Sequence, residues 1–222
     1  MGHAINLTAA DGSVISAYRA DPSSTPRGGV VVAQEIFGVN GHIRNVCDGY
    51  AADGYRVIAP ALFDRYVKGV DIGYSADDIA RGRELKAMAA TDAALQDVAA
   101  ARDALADCGK IGIVGYCWGG YIAWMSACRL PGFAAAVPYY GGGMLDAVAE
   151  TPRCPVLAHF GERDKVLPVE GVRKFAAVHA AAQIHIYAAD HGFNCDQRSS
   201  YDAAAAAQAR ERTLRFLREH VG

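Results

Sequence analysis

The chain has 222 residues, 52% of them hydrophobic and 21% charged, with a formal net charge of −2. That length suits one α/β domain with a large core, and scattered arginines in a near-neutral chain leave no basic face for a nucleic-acid backbone. No apolar run is long enough to span a bilayer and the N-terminus lacks a signal peptide's basic start and apolar stretch, so a cytoplasmic protein without membrane attachment is expected.

Residues 4–8 and 13–19 alternate apolar and polar about Asp11-Gly12, which predicts an antiparallel hairpin. After a Pro/Ser region, Gly29 to Ala33 is continuously apolar, as in a strand buried on both faces of a parallel sheet. A helical pattern over about 42–53 stops at the breaker Asp53-Gly54, and a second buried strand runs from Arg56 to Leu62. The stretch Ser75 to Asp107 opens on an N-cap with an acidic first turn and is long enough for two helices or one long crossover. Then come strand Lys110–Tyr116, helix 118–130, strands Ala134–Tyr140 and Val156–Phe160, a helix at about 168–182, and strand Ile184–Tyr187. Ser199 to Val221 reads as an Ala-rich amphipathic helix. Strands alternating with helices predict a mostly parallel α/β sheet with an antiparallel N-terminal edge and helices on both faces. No linker divides residues 1–222, so a single domain is expected.

The segment Gly115-Tyr116-Cys117-Trp118-Gly119-Gly120 joins an apolar strand to a helical run. It is a nucleophile elbow with sulfur in place of a hydroxyl, the glycines making room for a strained strand-to-helix turn. A helix N-terminus behind Cys117 favours a thiolate and a developing oxyanion. The competing reading is a structural cysteine on a glycine-rich turn. An elbow needs an acid and then a base, each just past a later strand. Asp164, in the loop after Val156–Phe160, and His191, in the turn after Ile184–Tyr187, fall there. Glu162 and Asp190 are the rival carboxylates. His3, His42 and His220 read as surface or terminal residues, His179 as helical, His159 and His185 as strand residues.

No histidine has a Cys or His partner at metal-ligand spacing, so no metal is expected. Six cysteines without a C-x-x-C pair read as reduced thiols, most of them in the core. Gln34-Glu35 ends a buried strand at the sheet rim where such folds bind ligands. Glu35 therefore reads equally as a site carboxylate or as a solvated loop residue. The backbone N–H groups of Ile36 and Trp118 are the candidate oxyanion hole.

Gln34-Glu35-Ile36-Phe37-Gly38-Val39-Asn40, the Cys117 elbow, Tyr139-Tyr140-Gly141, Asp164 and His191-Gly192-Phe193 stand in one order along nearly the whole chain. In these the sequence resembles the dienelactone hydrolase (carboxymethylenebutenolidase) family, of the α/β-hydrolase fold. The resemblance implies opening of the lactone ring of dienelactones to maleylacetates in bacterial breakdown of catechols, by a monomer without metal or organic cofactor. It also implies that Glu35 contacts the resting thiol, is displaced by an anionic substrate and takes the thiol proton. His191 then serves later steps, with Asp164 holding its tautomer. The family carries two arginines for the substrate carboxylate. Here Cys195 stands at the second position, with Arg198 the nearest alternative, and Arg81 or Arg83 is the candidate for the first. Tyr140 joins Arg81 and Arg198 as a candidate substrate contact. The alternatives are a general carboxylesterase or thioesterase for uncharged acyl groups, and a non-catalytic small-molecule-binding protein.

Overall fold

The N-terminal alternation folds as the expected hairpin: β1 (His3–Thr8) pairs antiparallel with β2 (Val14–Ala20), and Gly12 at φ 85° makes the turn. The structure is a computed structural model that describes residues 2–222. β2 passes antiparallel along β4 (Arg56–Pro60), which lies parallel to β3 (Gly29–Ala33). From there β5 (Ile111–Tyr116), β6 (Ala135–Tyr139), β7 (Leu157–Gly161) and β8 (Gln183–Tyr187) add in parallel, giving the order β1-β2-β4-β3-β5-β6-β7-β8. Every residue of β3, β5, β6 and β7 is buried, which is why these strands lack polar alternation. Each fully buried Val of Val30-Val31-Val32 contributes roughly 1.5–3 kcal/mol relative to exposure.

Helices cover both faces. α1 (Gly41–Ala52) and α6 (Ala203–His220) share one, where Arg210 bonds Asp53 and the Gly49 carbonyl. On the other lie α3 (Thr91–Asp103), α4 (Trp118–Arg129) and α5 (Val169–Val178), with Trp124 edge-on to Phe175 at 4.9 Å. The stretch from Ser75 resolves into two helices, α2 (Ala76–Met88) and α3, broken by extended backbone at Ala89 and Ala90. Ser75 and Asp78 form a reciprocal capping box at the start of α2. Among the described residues no helix is long and apolar enough to cross a membrane.

Most boundaries fall within a residue of the sequence expectation, and larger differences have local causes. β4 stops at Pro60 rather than Leu62, because the Leu62 N–H donates to the Gln34 side chain instead of a strand. α5 stops at Val178, with His179 as its C-cap and the ring nitrogen Nε2 against the Val148 carbonyl. α6 begins at Ala203, where the Asp202 side chain accepts from the Ala205 N–H; the preceding residues turn around His191 instead.

Candidate active site

Cys117 sits between β5 and α4 at φ 54° and ψ −117°, a conformation that costs about 1–3 kcal/mol for a residue with a side chain. Its surroundings hold it there. The Cys117 N–H donates to the Tyr139 carbonyl at 3.1 Å, and its own carbonyl accepts from Gly120 at 2.9 Å and Gly142 at 3.2 Å. A Cβ on Gly115 would overlap the Gly119 carbonyl, and one on Gly119 would overlap the Ala33 carbonyl at the end of β3. The two glycines therefore let α4 start directly against the end of β3. Trp118 is the first residue of α4, so its N–H has no partner within the helix. Its indole stacks on Phe63 at 5.0 Å.

His191 follows β8 and Asp164 follows β7, and these neighbouring strands end in register at Gly161 and Tyr187. His191 Nε2 lies 3.2 Å from Cys117 Sγ, and Nδ1 lies 2.7 Å from Asp164 Oδ2. A carboxylate accepts hydrogen bonds, so Nδ1 carries the ring proton and Nε2 faces the sulfur. The other oxygen, Asp164 Oδ1, accepts from the Val166 N–H at 2.7 Å and the Leu167 N–H at 3.1 Å. Burial disfavours a charged His191, but when Cys117 is a thiolate its charge and the Asp164 hydrogen bond outweigh burial and raise the ring to about 10. Of the rival carboxylates, Asp190 accepts from the His191 backbone N–H and Glu162 is exposed, so neither holds the ring.

Glu35 is fully buried at the end of β3. Its Oε1 accepts from Arg198 Nη1 at 3.2 Å, while Oε2 has no hydrogen-bond partner among the described residues. The resting contact with the thiol that the resemblance implied is therefore not made; a full positive charge is a stronger partner for a buried carboxylate than a thiol. Arg198 lies 5.7 Å over the Phe37 ring and packs against Gly192, whose φ of 80° and missing Cβ leave room for the guanidinium. Ile36 follows Glu35 and touches α2, where a Cβ on Gly82 would meet the Ile36 carbonyl at 2.6 Å.

The structure does not bring Arg81 to this centre. It is exposed on α2 and donates to Glu84 at 2.9 Å, a pairing already available to residues three apart on a helix, and Arg83 is exposed too. Tyr140, at φ 36°, sets its ring 5.1 Å from that of His191 and leaves its hydroxyl buried without a partner among the described residues. A cavity of about 380 Å³ opens beside His191, lined by Tyr74, Ile79, Gln197, Arg198 and Ser200.

Two residues near Glu35 escaped the sequence reading. His42 was expected at the surface, yet it is 4% exposed. It shares the inward face of α1 with Ile43, Cys47 and Tyr50, a helical period that would have located it. Cys195 is buried beside Glu35 and is pushed up to about 11, first by burial and then by the nearby carboxylate.

An eight-stranded, mostly parallel sheet with a positive-φ residue between strand and helix, and a histidine against that residue, defines an α/β hydrolase. The sequence model described as the Dienelactone hydrolase family matches residues 15–221, and the chain belongs to that family, whose enzymes hydrolyse ester or lactone bonds. It is 33% identical to the carboxymethylenebutenolidase of Pseudomonas putida, covering 96% of this chain and 94% of that protein. A Synechocystis protein provisionally given the same name is 34% identical, over 93% of this chain and 92% of its own length. Among solved structures, a provisionally assigned dienelactone hydrolase from Klebsiella pneumoniae superposes with a TM-score of 0.85 at 30% identity, covering 99% of this chain and all (100%) of that one.

Proposed function

We propose that the chain opens an enol-lactone of the dienelactone type to a maleylacetate, through a thioester on Cys117 with His191 and Asp164 as its partners. The observation that carries this reading is the chain of contacts from Asp164 through His191 to Cys117, 2.7 and 3.2 Å long, at a strained elbow. The substrate carboxylate pairs with Arg198 and draws it from Glu35. Glu35 loses its counter-ion, becomes a stronger base and takes the thiol proton. The thiolate attacks the lactone carbonyl, and the N–H groups of Ile36 and Trp118 hold the oxyanion. The ring C–O bond breaks as the oxyanion collapses, and the leaving oxygen takes the proton from Glu35.

Water then attacks the thioester while His191 Nε2 accepts its proton, Asp164 keeping the opposite proton on Nδ1. The thiolate expelled in this step faces the imidazolium that has just formed. Each charge stabilises the other, the same coupling that raises His191 to about 10.

One observation favours a second reading, a carboxylesterase or thioesterase for uncharged acyl groups. Arg81 is committed to Glu84, and Arg198 is the one arginine among the cavity's lining residues. The two readings part on a substrate panel. The lactone reading expects kcat/KM for cis- or trans-dienelactone to exceed that for p-nitrophenyl acetate, and to fall on Arg198→Gln. A preference for the uncharged ester that Arg198→Gln leaves unchanged would favour the esterase.

A further inference from the structure

We propose that Glu35, His42 and Cys195 form a binding site for a zinc-like divalent cation, which slows hydrolysis by capturing the free oxygen of Glu35. One donor atom from each of the three lies within 4.8 Å of those from the other two, and all three residues are buried. Two of the donors lack any other partner among the described residues: Glu35 Oε2 and His42 Nε2. A buried polar atom without a partner destabilises the fold, and here two of them lie in one cluster.

The surroundings complete the site. His42 Nδ1 lies 3.3 Å from Asp196 Oδ1, so it carries the ring proton and leaves the Nε2 lone pair free. A carboxylate behind a histidine is the arrangement that orients a ligating imidazole. Glu35 divides its oxygens in the same sense, Oε1 on Arg198 and Oε2 free. Thiolate, imidazole and carboxylate together suit zinc, with a fourth position for water. Bonds of about 2.0–2.3 Å place tetrahedral donors roughly 3.5 Å apart, so the cluster closes on a cation by side-chain adjustments of about 1 Å. Binding expels the Cys195 thiol proton to solvent, and one thiolate with one carboxylate then balances a divalent charge. That leaves Arg198 without net repulsion from the centre. A separate cavity of about 310 Å³, lined by His42 and Asp196, gives the cation a way in.

The site stands on this cluster alone, whereas the slowing of hydrolysis rests on the reading of Glu35 as acceptor of the thiol proton. The test uses the full chain, stripped with a chelator and titrated with CoCl2, a probe that absorbs in the near ultraviolet when bound by thiolate. One cobalt per chain should bind with that band in wild type and equally in Cys117→Ala. The band should vanish in Cys195→Ala, with Cys195→Ser as the second variant if the alanine chain does not fold by circular dichroism. His42→Gln should weaken binding on the order of 100-fold. ZnCl2 should displace the cobalt and slow hydrolysis of the anionic cis-dienelactone in wild type. Cys195→Ala should keep its basal rate and need on the order of 100-fold more zinc for the same inhibition. A missing band in the wild type, or one that follows Cys117 rather than Cys195, would overturn the site. Zinc that binds through Cys195 and leaves the rate unchanged would overturn the control of hydrolysis.

Discussion

Asp164→Asn puts the role of the buried carboxylate to a test whose size follows from its contacts. Asp164 accepts three hydrogen bonds: Oδ2 from His191 Nδ1, and Oδ1 from the Val166 and Leu167 N–H groups. An asparagine has one oxygen to divide between these directions. If its NH2 faced the two backbone donors, they would lose their acceptor. The loss is about 1–3 kcal/mol for the buried Leu167 N–H and less for the part-buried Val166 N–H, so roughly 2–4 kcal/mol together. At 1.4 kcal/mol per tenfold, the asparagine oxygen therefore stays on the backbone by a factor of about 30 to 10³, and its NH2 faces His191. That makes Nδ1 an acceptor and turns an Nε2–H towards Cys117 Sγ, the wrong tautomer for taking a proton from water. With the carboxylate charge also gone, kcat on p-nitrophenyl acetate should fall by about 10²–10⁴ through slower hydrolysis of the thioester. The fold should persist, checked by circular dichroism. A folded variant that loses less than about tenfold would refute the argument that Asp164 sets the tautomer.

Glu35→Gln keeps a hydrogen bond but removes the base, so single-turnover acylation by an anionic lactone should slow by about 10²–10⁴ at neutral pH and recover as pH rises. Equal acylation rates at neutral pH would remove Glu35 from the mechanism and leave His191 as the only base. A further expectation concerns acid stability. His159 is buried with its ring nitrogens 2.8 Å from the Tyr187 hydroxyl and 3.0 Å from Thr213 Oγ1, and burial holds it well below its ordinary value of 6.5. Its neutral form therefore stabilises the fold fully above 6.5, and that contribution is lost as pH falls, by up to ~1.4 kcal/mol per pH unit. Urea unfolding of wild type and His159→Gln between pH 7 and pH 5 should show a shallower decline in the variant; parallel declines would contradict this.

Features set by local chemistry were legible in the sequence. The elbow could be read because strained backbone demands small residues at fixed offsets, and Gly115, Gly119 and Gly120 occupy positions where a Cβ would strike backbone. The loops of Asp164 and His191 were legible because each must follow a strand, and Val156–Phe160 and Ile184–Tyr187 are short strand-forming runs that each end in a turn. Long-range partnerships were not legible. Glu35 and Arg198 meet across 163 residues, and nothing in either segment says that the carboxylate turns from the sulfur to the guanidinium. Cys195, judged by the arginine it replaces, gave no sign that it lies with His42 beside Glu35. His42 itself was missed by judging the residue type rather than the phase of α1, whose inward face it occupies. The start of α6 was misplaced because Ser199 to Tyr201 carry no helix-breaking residue; Asp202, which accepts from the Ala205 N–H, sets the boundary.

The central claim is a covalent thioester on Cys117, and rapid acid quench followed by intact and peptide mass spectrometry tests it most directly. Wild type mixed with p-nitrophenyl acetate should gain one acetyl group within the first turnover, on the peptide that contains Cys117, and hydroxylamine should remove it. Cys117→Ala should gain none and lose turnover. An acetyl group on any other residue during turnover, or a Cys117→Ala chain that retains more than about one hundredth of the wild-type rate, would contradict the account.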